Sequence, residues 1–218
     1  MKKFVAEFLG AFLLVLIGTG SIILNNFFFD IGQLGIGIAF CLAVILSILL
    51  FSNTSGAHIN PAVSLAFWFN QQLSTYYFFL YCIAQIMGAI FASLLLKWCF
   101  NPINMGETIP SGHWLESFVL ELLLTFIMML VILFTSNSKF FSNYSSQLIG
   151  ITVGLEAYLA GPICGASMNP ARSIGPALLS YNFSFLWIYI VAPCLGALFA
   201  IVLHNFINAS SNRRTSRA

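Results

Sequence analysis

Hydrophobic residues in this chain follow neither the period of a strand nor that of a surface helix. They fill six nearly continuous stretches, approximately residues 4–24, 34–51, 76–98, 115–135, 148–162 and 185–206. Crossing the hydrocarbon core of a bilayer as a helix takes about 20 apolar residues, so each stretch predicts one transmembrane pass. Two further segments, 53–70 and 163–180, are too short and too interrupted to cross. Each opens with Gly, Ser and Asn, reaches an Asn-Pro pair, and then stays apolar for only a few turns. Asparagine caps free backbone N–H groups, and proline at the first helical position has no N–H to lose, so both segments predict a loop followed by a half-helix.

The two broken segments share their wording. Ser55, Gly56, Ala57, His58, Ile59, Asn60, Pro61 and Ala62 form one; Gly165, Ala166, Ser167, Met168, Asn169, Pro170, Ala171, Arg172 and Ser173 form the other, close to half a chain later. A duplication divides the chain into 1–110 and 111–218, each half carrying three passes and one re-entrant segment. Three is an odd number, so the second copy lies upside down relative to the first, and the two loops enter from opposite faces. Inverted repeats with broken helices meeting near the midplane are a recurrent way to build a solute pathway. The fold class expected is an all-α membrane protein of six transmembrane helices plus two re-entrant half-helices. Glu7 in the first pass and Glu121 in the fourth occupy corresponding places and support the alignment.

Composition narrows the function. Apolar residues make up 60% of the 218 positions and charged residues only 6%, with a mean hydropathy of +0.96. A soluble domain carries about a quarter charged residues, so this chain lives in the lipid bilayer. A net charge of +2, scattered except at the ends, leaves no basic face for nucleic acid. Six of the eight basic residues, Lys2, Lys3, Lys139, Arg213, Arg214 and Arg217, fall on one face of a six-pass topology. The positive-inside rule makes that face, with both termini, cytoplasmic, and places the protein as a multi-pass protein of the cell membrane. The apolar run after Met1 to Lys3 continues without a small-residue cleavage site and reads as a retained helix rather than a leader. The five cysteines form no CxxC pair and read as buried free thiols, with no metal site and no cofactor.

The paired Asn-Pro-Ala motifs, the Ser-Gly-Ala-His before the first and the Arg-Ser after the second resemble the aquaporin, or major intrinsic protein, family from Glu7 to Pro193. The resemblance implies a passive channel, not an enzyme, that conducts water and packs as a homotetramer with one pore per subunit. It assigns Asn60, Pro61, Ala62, Asn169, Pro170 and Ala171 to the pore centre. The narrow filter is assigned to Phe40, Ala157, Ala166 and Arg172. Water-only relatives usually place histidine where this chain has Ala157, and Ala166 is also small. The expected opening is therefore wider than a single-water filter, and the alternative is an aquaglyceroporin-like channel for glycerol, urea or metalloid acids. Ser173 and Ala177 are water-like, whereas Ile190 is less so.

Residue chemistry supports parts of this independently. Two half-helices whose N-termini meet in a low-dielectric layer repel cations. Asn60 and Asn169 would cap them through the side-chain oxygen and keep their amide N–H groups for the permeating molecule. Glu7 and Glu121 are expected to brace the loops, since irregular backbone inside a membrane needs acceptors for its N–H groups. Glu156, beside Ala157, is either a third brace or a pore-facing selectivity group. His58 resembles the family's cytoplasmic-mouth histidine or simply packs the loop, and Cys164 is a possible mercurial target near the outer mouth. Glycine pairs 150/154 and 161/165 have the spacing that lets helices cross closely. An intramembrane enzyme lacks a nucleophile with its base, and a secondary transporter would have only Glu156 as its titratable midplane group.

Overall fold

The computed structural model describes residues 1–138 and 140–215, with backbone alone at residue 137 and over 210–215; Lys139 and Arg217, two of the topology residues, lie outside the described residues. The described residues are helical throughout, without strands, and six helices are long and apolar enough to cross a membrane. The first pass, Lys2–Phe27, comprises α1 (Lys2–Leu14), a π-helical turn (Val15–Thr19) and α2 (Gly20–Phe27). The rest are α3 (Gly32–Ser55), α5 (Thr75–Phe100), α6 (Trp114–Asn137), α7 (Ser145–Cys164) and α9 (Ile188–Thr215). The two short helices α4 (Pro61–Phe69) and α8 (Pro170–Ser180) follow the two Asn-Pro pairs.

All six passes occur where the hydrophobic pattern predicts them, and five extend a few residues beyond it at each end. The sixth begins at Ile188 rather than 185, because Leu186 and Ile188 donate to the carbonyls of Phe183 and Phe185 and close tight turns first. The π-helical turn is the one interruption that the pattern does not forecast.

Both re-entrant loops are built alike. Gly56 (φ 91°) and Gly165 (φ 87°) end α3 and α7 in the left-handed region, donating their N–H to Ser52 and Gly161 and reversing the chain into the membrane. In each loop two non-glycine residues then take positive φ, Ala57 and Ile59 in the first, Ala166 and Met168 in the second. Such backbone persists only where the surroundings hold it. Tyr81 on α5 donates to the carbonyl of Ser55 at 2.7 Å, and Tyr189 on α9 donates to that of Cys164 at 2.8 Å.

The helices approach through glycines, again in pairs. A side chain at Gly88 of α5 would overlap the carbonyl of Phe8 on α1, and one at Gly196 of α9 would overlap that of Leu122 on α6. Between α3 and α7, a Cβ at Gly37 or Gly154 would come within 2.8 Å of the other's carbonyl oxygen, so the 150/154 pair lies at a close crossing. The 161/165 pair does not: Gly161 makes room for the Gln33 amide, and Gly165 is the helix cap just described. Leu, Ile and Phe side chains such as Leu49, Phe79 and Leu159 form an exposed apolar exterior suited to lipid.

Candidate functional site

The half-helices begin in the way their sequence dictates. Asn60 Oδ1 accepts the N–H of Ala62 at 2.9 Å, and Asn169 Oδ1 accepts those of Ala171 and Arg172 at 3.0 and 3.4 Å, with Pro61 and Pro170 at the first helical positions. The amides are not wholly free, which corrects the sequence expectation. Asn60 Nδ2 donates to the carbonyl of Met168 at 2.7 Å, and Asn169 Nδ2 donates to that of Ile59 at 2.9 Å. Each asparagine therefore ties its own loop to the opposite one and keeps a single amide hydrogen for anything passing.

Two carboxylates hold the loops from behind. Glu7 accepts from Ser55 Oγ (2.6 Å), the backbone N–H groups of His58 (2.9 Å) and Ile59 (2.7 Å), and Gln85 Nε2 (2.7 Å). Glu121 accepts from the N–H groups of Ser167 (2.7 Å) and Met168 (2.8 Å). The backbone donors belong to the two loops with positive-φ residues, so each carboxylate helps fix a conformation the chain would not adopt alone. Glu156 does not share this task. Its two oxygens are buried without a hydrogen-bond partner among the described residues, so it braces neither loop, and it does not line the cavity described below. On α7 it stands beside hydrophobic neighbours rather than at a loop, which is why neither expected role is met.

A cavity of about 360 Å³ lies between these elements. Ser52, Ser136 and Ser145 line one end, His58, Asn60 and Asn169 its middle, and Phe40 and Arg172 the other end. Its walls between these polar points are largely aliphatic, with Val44, Ile48, Ile149 and Val153 among them. The His58 ring is both wall and packing: it stacks on Phe67, meets Tyr81 edge-on, and places Nδ1 3.2 Å from Ser64 Oγ. His113 caps α6 and His204 lies near Asn208, away from the cavity.

Arg172 is only 1% exposed. Its Nη1 donates to the Gly106 carbonyl at 2.9 Å, and its guanidinium carbon stands 5.4 Å from the centre of the Phe40 ring, a cation–π distance. Its Nε is buried without a hydrogen-bond partner among the described residues. Ala157 and Ala166 belong to the same buried cluster as Phe40 but do not line the cavity. The carbonyl of Ala157 is held by Gln33 Nε2 at 2.7 Å. Cys164 is fully buried and donates to Ala160, out of reach of a mercurial at the mouth. Among the described residues there is no cluster of His, Cys, Asp and Glu able to hold a metal.

Several participants escaped sequence reading: Gln85, Tyr81, Tyr189, Gln33 and the 101–113 connection that supplies Gly106. Each acts through long-range bonds, two for Gln85, and carries no local motif. Only the matching positions of Tyr81 and Tyr189 in the two halves could have drawn notice.

Comparison with known proteins agrees with this geometry. A family model described as major intrinsic protein matches residues 1–204. The chain is 34% identical over 212 residues to Nodulin-26 of Glycine max, covering 95% of this chain and 78% of that protein. It is 38% identical over 209 residues to glycerol uptake facilitator protein-like 6 of Lactiplantibacillus plantarum, covering 92% and 95%. The X-ray structure of the aquaglyceroporin from Plasmodium falciparum superposes with a TM-score of 0.83 at 26% identity, covering 93% of this chain and 94% of that one. Proteins of this kind are passive channels and not enzymes, and the six apolar helices make this one a multi-pass membrane protein. The chain belongs to the major intrinsic protein family of membrane channels.

Proposed function

We propose that this protein conducts water passively across the cell membrane, excluding protons and ions, through the cavity between its two half-helices. The reading rests above all on Asn60 and Asn169, which cap the two half-helices and reach across to each other's loops in the wall of one cavity. Each half-helix N-terminus carries roughly half a positive charge, and both end at this point. A water molecule there accepts the remaining amide hydrogens and is turned away from its neighbours in file, while a cation meets only positive ends. Arg172 adds a full charge at the constriction with Phe40.

A second reading has its own support. Ala157 and Ala166 bring no bulk to the filter, and Phe40 offers an apolar wall opposite a hydrogen-bonding arginine, which suits a small polyol. Under this reading glycerol, urea or undissociated metalloid acids pass as well, in line with relatives named as a glycerol uptake facilitator and an aquaglyceroporin. The domain reading is proposed with it: 1–110 and 111–218 as inverted halves, both termini cytoplasmic, and a homotetramer with one pore per subunit.

Light scattering from proteoliposomes tests both readings. Rapid, low-activation-energy shrinkage under a sucrose gradient is expected, followed under a glycerol gradient by re-swelling only if the wider reading holds. Flux no faster than that of empty liposomes for either solute rejects the channel reading altogether.

A further inference from the structure

Phe40 is the bulkiest side chain of the proposed filter, and its position depends on what stands behind it. Behind it is the π-helical turn Val15–Thr19 of the first pass. A Cβ added at Gly18 in that turn would lie 2.4 to 2.8 Å from three atoms of one edge of the Phe40 ring. The ring therefore occupies the space a side chain at position 18 would take, while the Arg172 guanidinium lies over the ring's face, its carbon 5.4 Å from the ring centre. The next residue of the same turn, Thr19, is fully buried, and its methyl packs against Gly106, the residue whose carbonyl holds Arg172. One irregular turn thus touches the supports of both filter walls. Turns of this kind are rare and occur frequently at functional sites.

We propose that Gly18 is a positioning residue for solute size: by leaving room for the Phe40 ring, the π-helical turn sets how far that ring stands from Arg172 and hence the widest solute admitted. This rests on the reading of Phe40 and Arg172 as the filter and on the second reading above, in which glycerol passes; a native protein that conducts no glycerol rejects that reading and this inference with it. A methyl at position 18 forces the ring edge to move, and with the turn's backbone behind it the ring has the cavity as its way out. An added methylene in a tight apolar site changes discrimination by about ten-fold or more. Glycerol, wider than water, takes most of that loss.

The test compares water and glycerol permeability in proteoliposomes for the native protein, Gly18→Ala, Phe40→Ala, the double variant, and Gly20→Ala as a control. Gly20 lies on the same pass but faces Leu96, away from the filter. Gly18→Ala is expected to lower the glycerol-to-water ratio about ten-fold, Gly20→Ala to leave it unchanged, and the double variant to show the ratio of Phe40→Ala alone. An unchanged or raised ratio in Gly18→Ala, while Phe40→Ala shifts it, overturns the inference. Loss of both fluxes in Gly18→Ala that Phe40→Ala does not rescue overturns it equally. A ratio that Phe40→Ala itself leaves unmoved rejects the filter reading instead.

Discussion

At the scale of single residues, the buried carboxylates separate by what they touch. Glu121 takes two backbone N–H groups of a strained loop, whereas neither oxygen of Glu156, on the adjacent long helix, has a hydrogen-bond partner among the described residues. Replacing Glu121 with leucine strands both N–H groups in an apolar surround at about 1–3 kcal/mol each. Replacing Glu156 with leucine removes polar atoms whose burial is uncompensated, so it is expected to be neutral or to stabilise by about 1 kcal/mol. Thermal unfolding in detergent distinguishes the two: Glu121→Leu should melt well below the native protein and Glu156→Leu at or above it. A large loss in Glu156→Leu would mean that its carboxyl has a partner of consequence. The Glu121 role was legible in the sequence through its match with Glu7 across the repeat, but that of Glu156, a glutamate without such a match in an apolar run, was not. What separates them is whether a loop from elsewhere arrives within reach, and no spacing along one helix encodes that.

At the scale of elements, local chemistry was legible and long-range chemistry was not. The half-helices were readable because Asn-Pro specifies a cap and a first turn within two residues, and the passes because their length alone decides them. The cross-ties from Asn60 to Met168 and from Asn169 to Ile59 were missed because each needs a carbonyl from the opposite half of the chain. For the same reason Gly88 and Gly196 carried no signal, though each lets a helix backbone lie directly on another: α5 on α1, and α9 on α6. Their environments match so closely that their substitution should cost the same. Gly88→Ala and Gly196→Ala are each expected to destabilise by about 1–3 kcal/mol, because backbone cannot move aside as a side chain can. Thermal melts that differ widely between them would argue against equivalent packing in the two halves. The π-helical turn was likewise illegible, since Val15 to Thr19 reads as ordinary apolar helix and its reason lies in Phe40 on the next pass.

For the whole molecule, the proposed orientation and the proposed exclusion of ions both rest on charge. Lys2 and Lys3 stand at the start of the first pass, and six crossings return the chain to the same face. Tags at either end should therefore be protected from protease added outside intact cells and cut after permeabilisation; a tag cut from outside would reverse the assignment. Among the described residues, the strongly positive features that line the cavity are the two half-helix ends and Arg172. The helix ends are backbone and survive any side-chain change, while the arginine does not. Arg172→Val combined with Phe40→Ala removes one barrier of the series and widens the opening, so water flow should persist or rise. A pH-sensitive dye trapped in proteoliposomes should then report a faster collapse of an imposed proton gradient. The rise should be partial, because protons still meet roughly half a unit charge from each half-helix, with hydrogen-bonded water reoriented at Asn60 and Asn169. An unchanged leak would place the whole barrier at the asparagines. A leak approaching that of an open ion pore would instead mean that the half-helix field contributes little, and that the arginine alone keeps charge out.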